Sequence, residues 1–377
     1  MAIVRHNKKA RNKPLRSKQA GSTPVQMVEV EIHDLSYEAQ GVSRSLEKVL
    51  FVADALPGET VKVSIDNPGR RFDQGKLLEI ISPSDERIEP LCPHYKRCGA
   101  CQLQHLQLNK QLSYKQNTLD QQLTRQLKLN DIPWQPALES DGFGYRRRAR
   151  LGVRYRKQQD EIIIGFREHN NRHLAAIDEC PVLTASLSAL ISPMRELINK
   201  LESKPRITQL DLITADNSDA AVLRYLKILT KNDIKALKIF AQKHQIQLHV
   251  QGDEEQGLEC LWPENPEPLN FKMQGDVLEF TVKNFIQGNG NMNRKMVEMA
   301  IDWIQPKDTE TLLDLFAGIG NFSLPMARHF KQVMAVEGEK TMVKQIELNA
   351  QLNTISNITS RAMNLNDEIL LTMLPSA

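Results

Sequence analysis

Leu312-Leu313-Asp314-Leu315-Phe316-Ala317-Gly318-Ile319-Gly320-Asn321-Phe322 decides how the last third of this chain folds. Apolar residues flank a single aspartate, as in a buried strand, and Gly-x-Gly then turns the chain tightly enough for its backbone to approach a ligand. A helix is expected from near Asn321, its N-terminus suited to a carboxylate. Gln332–Val336 reads as a second strand, and Glu337 at its end is placed to accept hydrogen bonds from ribose hydroxyls. From about residue 284 the pattern runs helix, strand, glycine turn, helix, strand, helix, strand. That is the opening of a doubly wound α/β domain.

Gly-x-Gly alone is a common pattern. Ser323 stands where a dinucleotide loop has its third glycine. The shorter loop suits S-adenosylmethionine, which has no pyrophosphate to cradle, better than NAD, which stays open.

Working outward, Pro263, Pro266 and Pro268 mark a boundary at 262–270, preceded by an α+β pattern over 184–260. Tyr145–Tyr155 and Ile162–Phe166 read as a hairpin around Lys157-Gln158-Gln159-Asp160. Leu108, Leu112, Leu119, Leu123 and Leu127 keep one stripe of a helix, a pattern expected to pack into a core. Near the start, Val28, Val30 and Ile32 alternate with Glu29 and Glu31. Strands are also expected at Val49–Val52, Thr60–Ile65 and Gly75–Ile81, with turns at Pro57-Gly58 and Asn67-Pro68-Gly69. So many short strands in 25–84 suggest a small β-barrel of the OB type.

Charge is unevenly spread. Residues 1–20 hold seven Lys and Arg and no acid, so a net of +3 overall leaves −4 for the rest. The segment 1–24 reads as a basic disordered tail able to neutralise phosphates. A second basic run, Arg146-Arg147-Arg148-Ala149-Arg150, lies on the expected hairpin, where alternation would put some arginines on one face suited to phosphate contact. No run approaches the ~20 apolar residues of a membrane span, and no signal peptide is apparent. A cytoplasmic protein is expected, with no protein partner evident.

Three of five cysteines fall within ten residues, Cys92, Cys98 and Cys101, and Cys180 precedes Pro181. In a cytosolic chain such bunching favours a metal centre over disulfides. Four thiolates suit either a tetrahedral zinc or a [4Fe–4S] cluster; three close ligands and one remote ligand favour the cluster.

Taken in order, these motifs resemble one family. The OB-like segment, Cys-x5-Cys-x2-Cys with Gly99 and Gln102, Cys180-Pro181, Phe285-Ile286-Gln287-Gly288-Asn289, the Asp314–Phe322 loop and Asn349-Ala350-x-Leu352-Asn353 follow one another over nearly the whole chain. The chain resembles the iron–sulfur RNA (uracil-C5)-methyltransferases, and among them those that carry a TRAM domain and act on 23S ribosomal RNA. The resemblance implies a multidomain α/β plus β fold. A TRAM β-barrel would occupy 25–84, a central α+β iron–sulfur and RNA-binding domain 85–270, and a Rossmann-like class I methyltransferase domain would begin at 271 and be cut short at 377.

The resemblance also implies functional residues. Cys92, Cys98, Cys101 and Cys180 would hold a [4Fe–4S] cluster. Gln287, Phe316, Asn321, Glu337 and Asn364 would contact S-adenosylmethionine. The substrate would be a uridine in a single-stranded or loop region of 23S ribosomal RNA, and the protein a monomer. Relatives acting on tRNA would lack both barrel and cluster. Gly288 departs from the family, which more often has valine there, and this bears on packing.

The chemistry such a resemblance implies needs a thiolate to add to carbon 6 of uracil, since carbon 5 alone is too weak a nucleophile. Four cysteines are assigned to the cluster and Cys260 has no basic neighbour in sequence. The nucleophilic cysteine is therefore expected beyond Ala377, with no catalytic residue in this chain. Two other readings are a non-catalytic RNA-binding iron–sulfur module and a redox protein.

Overall fold

Buried Val30 and Ile32 alternating with exposed Glu29 and Glu31 make β1 (Gln26–Glu31), the first strand of a computed structural model that describes residues 26–66, 68–129, 131–169, 172–252 and 257–365. The basic tail 1–24 lies outside these residues. β2 (Asp34–Leu35), β3 (Gly41–Ser43), β4 (Val49–Val52), β5 (Thr60–Ile65) and β6 (Phe72–Ser82) complete a six-stranded sheet ordered β1-β5-β6-β4-β3-β2. It wraps one apolar cluster that includes Val30, Ile32, Leu50, Val52, Val61 and Val63. Buried Glu59 is satisfied by Arg87, which donates at 2.5 Å, and by the Leu56 amide at 2.8 Å. The expected strands are all present; β2 and β3 are too short to show a period.

The chain forms two compact units. The first runs to Arg87 and includes Tyr114–Gln122 from the middle of α1 (Leu108–Leu127). The expected core role of the α1 leucines does not hold. No residue of this helix is buried, and Leu108, Leu119 and Leu127 are exposed. Its middle is instead tied by polar groups, with Thr118 Oγ1 donating to the Leu35 carbonyl and Gln121 Nε2 to Asp34.

The second unit, Ile88–Ser113 with Leu123 onward, has a mixed sheet at its centre. β7 (Arg148–Arg156) and β8 (Glu161–Arg167) form the expected hairpin, joined by β9 (Leu174–Ala176), β10 (Ile207–Thr214), β11 (Asp219–Tyr225), β12 (Gln247–Gln251) and β13 (Leu258–Trp262). The order is β13-β12-β11-β10-β7-β8-β9, with only β11 and β12 parallel. Leu151, Ile164, Leu210 and Leu212 pack with Leu187, Ile191 and Met194 of α2 (Ala185–Lys200) and Leu237 and Ala241 of α3 (Lys231–His244). Thr230 and Asp233 form a capping box that starts α3.

A hairpin of β14 (Leu269–Met273) and β15 (Asp276–Phe280) follows, then α4 (Gly290–Ile304). β16 (Thr311–Leu315), α5 (Ser323–Ala327), β17 (Gln332–Glu337), α6 (Lys340–Leu352) and β18 (Ile358–Ala362) alternate, and the three strands are parallel in the order β16-β17-β18. This matches the expected opening of a doubly wound domain. Among the described residues no helix is long and apolar enough to cross a membrane.

Candidate active site

Parallel strands place their carboxyl ends at one rim of the sheet, and loops there carry ligands. Phe316 leaves β16 at this rim, Glu337 ends β17, and Asn364 follows β18. The Gly318 amide donates to Glu337 Oε2 at 2.9 Å, while Gly338 and Glu339 amides donate to Oε1 at 2.8 and 3.1 Å. Glu337 therefore braces the glycine turn as well as facing the rim. Gly318 and Gly320 have φ of +60° and +92°, and a Cβ on Gly320 would fall 2.1 Å from Leu324 Cδ1. Phe316 adopts φ +60° with its side chain 73% exposed. A bulky aromatic held in that region is strained, a feature that clusters at ligand sites.

The helix expected from Asn321 begins at Ser323 and has only five residues. It is too short for a substantial macrodipole, so the amides of the turn dominate the polarity here. Ser323 is buried and its hydroxyl donates to Asp314 at 2.5 Å. Burial raises the Asp314 carboxyl above its ordinary range, Ser323 pulls it down, and Glu337 adds to the rise. Asn321 and Asn293 exchange side-chain amide bonds at 2.6 and 2.9 Å, tying the turn to α4. Gln287 lies just before α4, whose N-cap is Asn289, accepting from the Met292 amide at 2.9 Å. A Cβ on Gly288 would meet nothing within 4 Å, so nothing in the packing demands glycine there.

Two asparagines whose roles sequence reasoning missed hold this rim from below. Buried Asn349 accepts from the Glu279 amide at 2.9 Å and donates to the carbonyls of Glu279 and Ile319 at 3.0 and 3.1 Å. Asn353, one turn later, does the same to Val277 at 2.8 and 2.7 Å. Four residues apart on α6, they act as a substitute strand along the edge of β15. The i, i+4 spacing of two amides was the available signal.

The four cysteines come together. Cys92, Cys98, Cys101 and Cys180 line one cavity with Phe166 and Ile177. Backbone amides point at their sulfurs: His94 at Cys92, Ala100 at Cys98, and Val182 and Leu183 at Cys180. Burial pushes the Cys98 thiol up to about 11, with Cys101, Cys180 and Cys92 adding to the rise. The Cys98–Gly99 turn pairs with the end of β8, where the Gly99 amide donates to Arg167 O at 2.9 Å. Among the described residues no three His, Cys, Asp or Glu side chains are grouped to hold a single metal ion. Cys260 lies elsewhere, its thiol donating to the carbonyls of Trp262 and Pro263 and raised by burial.

The basic run divides. Arg147 is buried and Arg148 half-buried, both donating to main-chain carbonyls, so neither presents a face to phosphate as the alternation suggested. Arg150 reaches Asp211 at 3.2 Å with its side chain 62% exposed, and Arg154 is exposed.

The family profile described as tRNA (uracil-5-)-methyltransferase matches residues 107–372, and the TRAM domain profile matches residues 21–78. The chain belongs to the tRNA (uracil-5-)-methyltransferase family. A 23S rRNA (uracil(1939)-C(5))-methyltransferase of Shewanella sediminis is 41% identical over 92% of this chain and 77% of its own length. The protein of that name from Hahella chejuensis is 37% identical over 93% of this chain and 79% of its own. Both exceed the similarity to the crystal structure of Pyrococcus abyssi tRNA (uracil-54, C5)-methyltransferase in complex with S-adenosyl-L-homocysteine. That structure shares 16% identity and the fold, with a TM-score of 0.67 over 90% of this chain and 81% of that one.

The last likeness corrects one expectation. Coverage of 90% leaves about 38 residues of this chain unmatched, fewer than the 57 of Gln26–Ser82. The tRNA-methylating relative therefore shares at least part of the N-terminal β-domain fold, and that domain does not by itself separate rRNA from tRNA enzymes. Membership in a family of enzymes also disfavours the non-catalytic and redox readings.

Proposed function

We propose that this chain methylates carbon 5 of a uridine in 23S ribosomal RNA, in a single-stranded or loop region, with S-adenosylmethionine bound at the rim of β16–β18. The observation that carries this is the braced turn Phe316–Asn321 in a chain about 40% identical to enzymes named for that reaction. Ser323 bonded to Asp314 leaves no third glycine for a pyrophosphate, which favours this cofactor over NAD. Bound there, S-adenosylmethionine supplies the methyl group. Glu337 would accept from its ribose hydroxyls, Asn364 would meet the adenine edge, and Gln287 the methionine end. Asn321 and Phe316 would close the turn over it.

The four clustered cysteines fit a [4Fe–4S] cluster better than a single zinc. One cavity gathers four sulfurs, with amides directed at Cys92, Cys98 and Cys180, and three of the thiols come from one short segment with the fourth remote, a spacing that favours a cluster. Such a cluster would supply metal–sulfur bonds joining the 92–101 loop to Cys180.

Carbon 5 becomes nucleophilic only when a thiolate has added to carbon 6. After methyl transfer a base removes the carbon 5 proton and the thiolate leaves. None of the five cysteines suits that role: four line the cavity, and Cys260 is half-buried with its thiol bonded to carbonyls. We take the thiolate to be supplied from outside Met1–Ala377.

The test is transfer from labelled S-adenosylmethionine to 23S rRNA transcript, by this chain and by a form carrying any natural sequence that follows Ala377. The short chain should bind cofactor and RNA without turnover, and the longer form should turn over. Methyl transfer by the short chain would refute the placement of the thiolate. Binding without turnover in both would refute the reaction.

A further inference from the structure

The run Arg146-Arg147-Arg148 invites a phosphate-binding reading, yet Arg147 and Arg148 turn into the protein, where the buried Nη2 of Arg147 has no hydrogen-bond partner among the described residues. The Arg147 backbone amide donates to the Gly288 carbonyl and its Nε to the Gln287 carbonyl, both at 2.8 Å. Arg148 donates through Nη2 to Val282 O at 2.9 Å and through Nη1 to Asn284 O. Carbonyls at 282, 284, 287 and 288 thus all receive donors from two neighbouring arginines. The guanidinium of Arg147 stacks over Phe271 at 4.3 Å, and a Cβ on Gly290, the first residue of α4, would lie 3.2 Å from its Nη1. Arg146 and Asn289 pair as an isolated antiparallel bridge, so the two segments run side by side.

Two buried or half-buried cations on backbone carbonyls are an expensive way to hold a loop. Desolvating a guanidinium is costly, and here the nearby carboxylates of Asp216 and Asp211 and the Phe271 ring offset part of that cost. The segment held is the one that delivers Gln287. We propose that Arg147 and Arg148 are positioning residues for the cofactor, fixing Val282–Gly288 so that Gln287 meets the methionine end of S-adenosylmethionine. This rests on the reading of Gln287 as a cofactor contact. The consequence is a division of labour along one strand. Arg147 and Arg148 set cofactor affinity, and RNA affinity is left to exposed cations such as Arg154.

The test compares wild type with Arg148→Gln and Arg148→Lys. Calorimetry with S-adenosylhomocysteine, binding of a 23S rRNA fragment, thermal melting, and hydrogen exchange at 284–290 are the readouts. Arg148→Gln should bind S-adenosylhomocysteine about tenfold more weakly. RNA affinity should change less than twofold, and exchange should quicken at 284–290 while the central sheet stays protected. Arg148→Lys keeps the charge and reaches one of the two carbonyls, so it should recover part of the loss. If Arg148→Gln melts as wild type does and binds S-adenosylhomocysteine equally well, the proposal is overturned. If Arg148→Gln does not fold, Arg148→Lys decides: native melting with unchanged cofactor affinity overturns it, and weakened affinity supports it. Wild type that binds no S-adenosylhomocysteine would overturn the reading of the site itself, and the proposal with it.

Discussion

The cysteine cavity and the glycine turn are both built on loops, but they are held in opposite ways. At the turn three positions are braced by side chains: Glu337 holds Gly318, Asn293 holds Asn321 and Asn349 holds Ile319. Around the cysteines the lining mixes thiols and apolar groups with His94, Tyr95, Gln104 and Glu179, and main-chain amides are directed at Cys92, Cys98 and Cys180. The turn is preorganised by the fold, so its ligand needs little ordering on arrival. The cavity has its four cysteines spread over nearly ninety residues, and the metal–sulfur bonds proposed there would do the joining.

That contrast is sharpest where the effects should be largest. Cys98→Ser and Cys180→Ser should each take iron from about four atoms per chain to a small fraction. Each should also cost on the order of 5 kcal/mol of stability, read by denaturant melts on anaerobically purified protein. If either variant kept its iron, or if zinc were found instead, the cavity would not be a cluster site. Asn349→Leu removes one side chain and leaves two carbonyls and an amide without partners. It should cost about 3 kcal/mol by urea unfolding and weaken S-adenosylhomocysteine binding, since Ile319 is then unheld. Normal binding in a folded Asn349→Leu would mean the turn needs no brace.

Smaller effects probe the turn itself. Phe316→Gly relieves a positive φ and should stabilise the fold by about 1 kcal/mol while weakening the cofactor several-fold. Unchanged cofactor affinity would remove the ring from the site. The smallest effect is on pH dependence. The folded chain holds a proton on Asp314 more tightly than the unfolded chain, because burial outweighs the Ser323 bonds and Glu337 adds to the rise. Its contribution to stability is therefore full below the unfolded carboxylate pKa and is lost as pH rises through the raised folded value. Asp314→Asn should flatten that decline, and a decline as steep as wild type's would show the group to be ordinary.

Much of this was legible in the residues. Val49–Val52 and Thr60–Ile65 were readable because their alternation and flanking turns are local, and the same holds for the β7–β8 hairpin. The gathering of Cys180 with Cys92–Cys101 was legible as chemistry, since a lone cysteine before proline needs an explanation. What was not legible depended on distant partners. The leucines of α1 have helical period, but no period reveals that the facing surface is joined through Thr118 and Gln121. Likewise Arg147 and Arg148 look like any basic run until Val282–Gly288 lies beside them, more than 130 residues along the chain. The helix after the turn was expected, but its start at Ser323 was not, because Gly318 and Gly320 at positive φ hold the turn open two residues longer.

The asparagine pair on α6 carries a consequence for the order of events during synthesis. β15 leaves the ribosome with its outer edge unpaired, and Asn353 follows Val277 by 76 residues. At roughly 5–20 residues per second, the edge waits on the order of 4–15 s for its clamp. An open strand edge of Val277, Leu278 and Phe280 is adhesive to other nascent chains for that interval. Expression at lower temperature, or with a chaperone that shields strand edges, should thus matter more for the yield of this protein than its final stability would suggest.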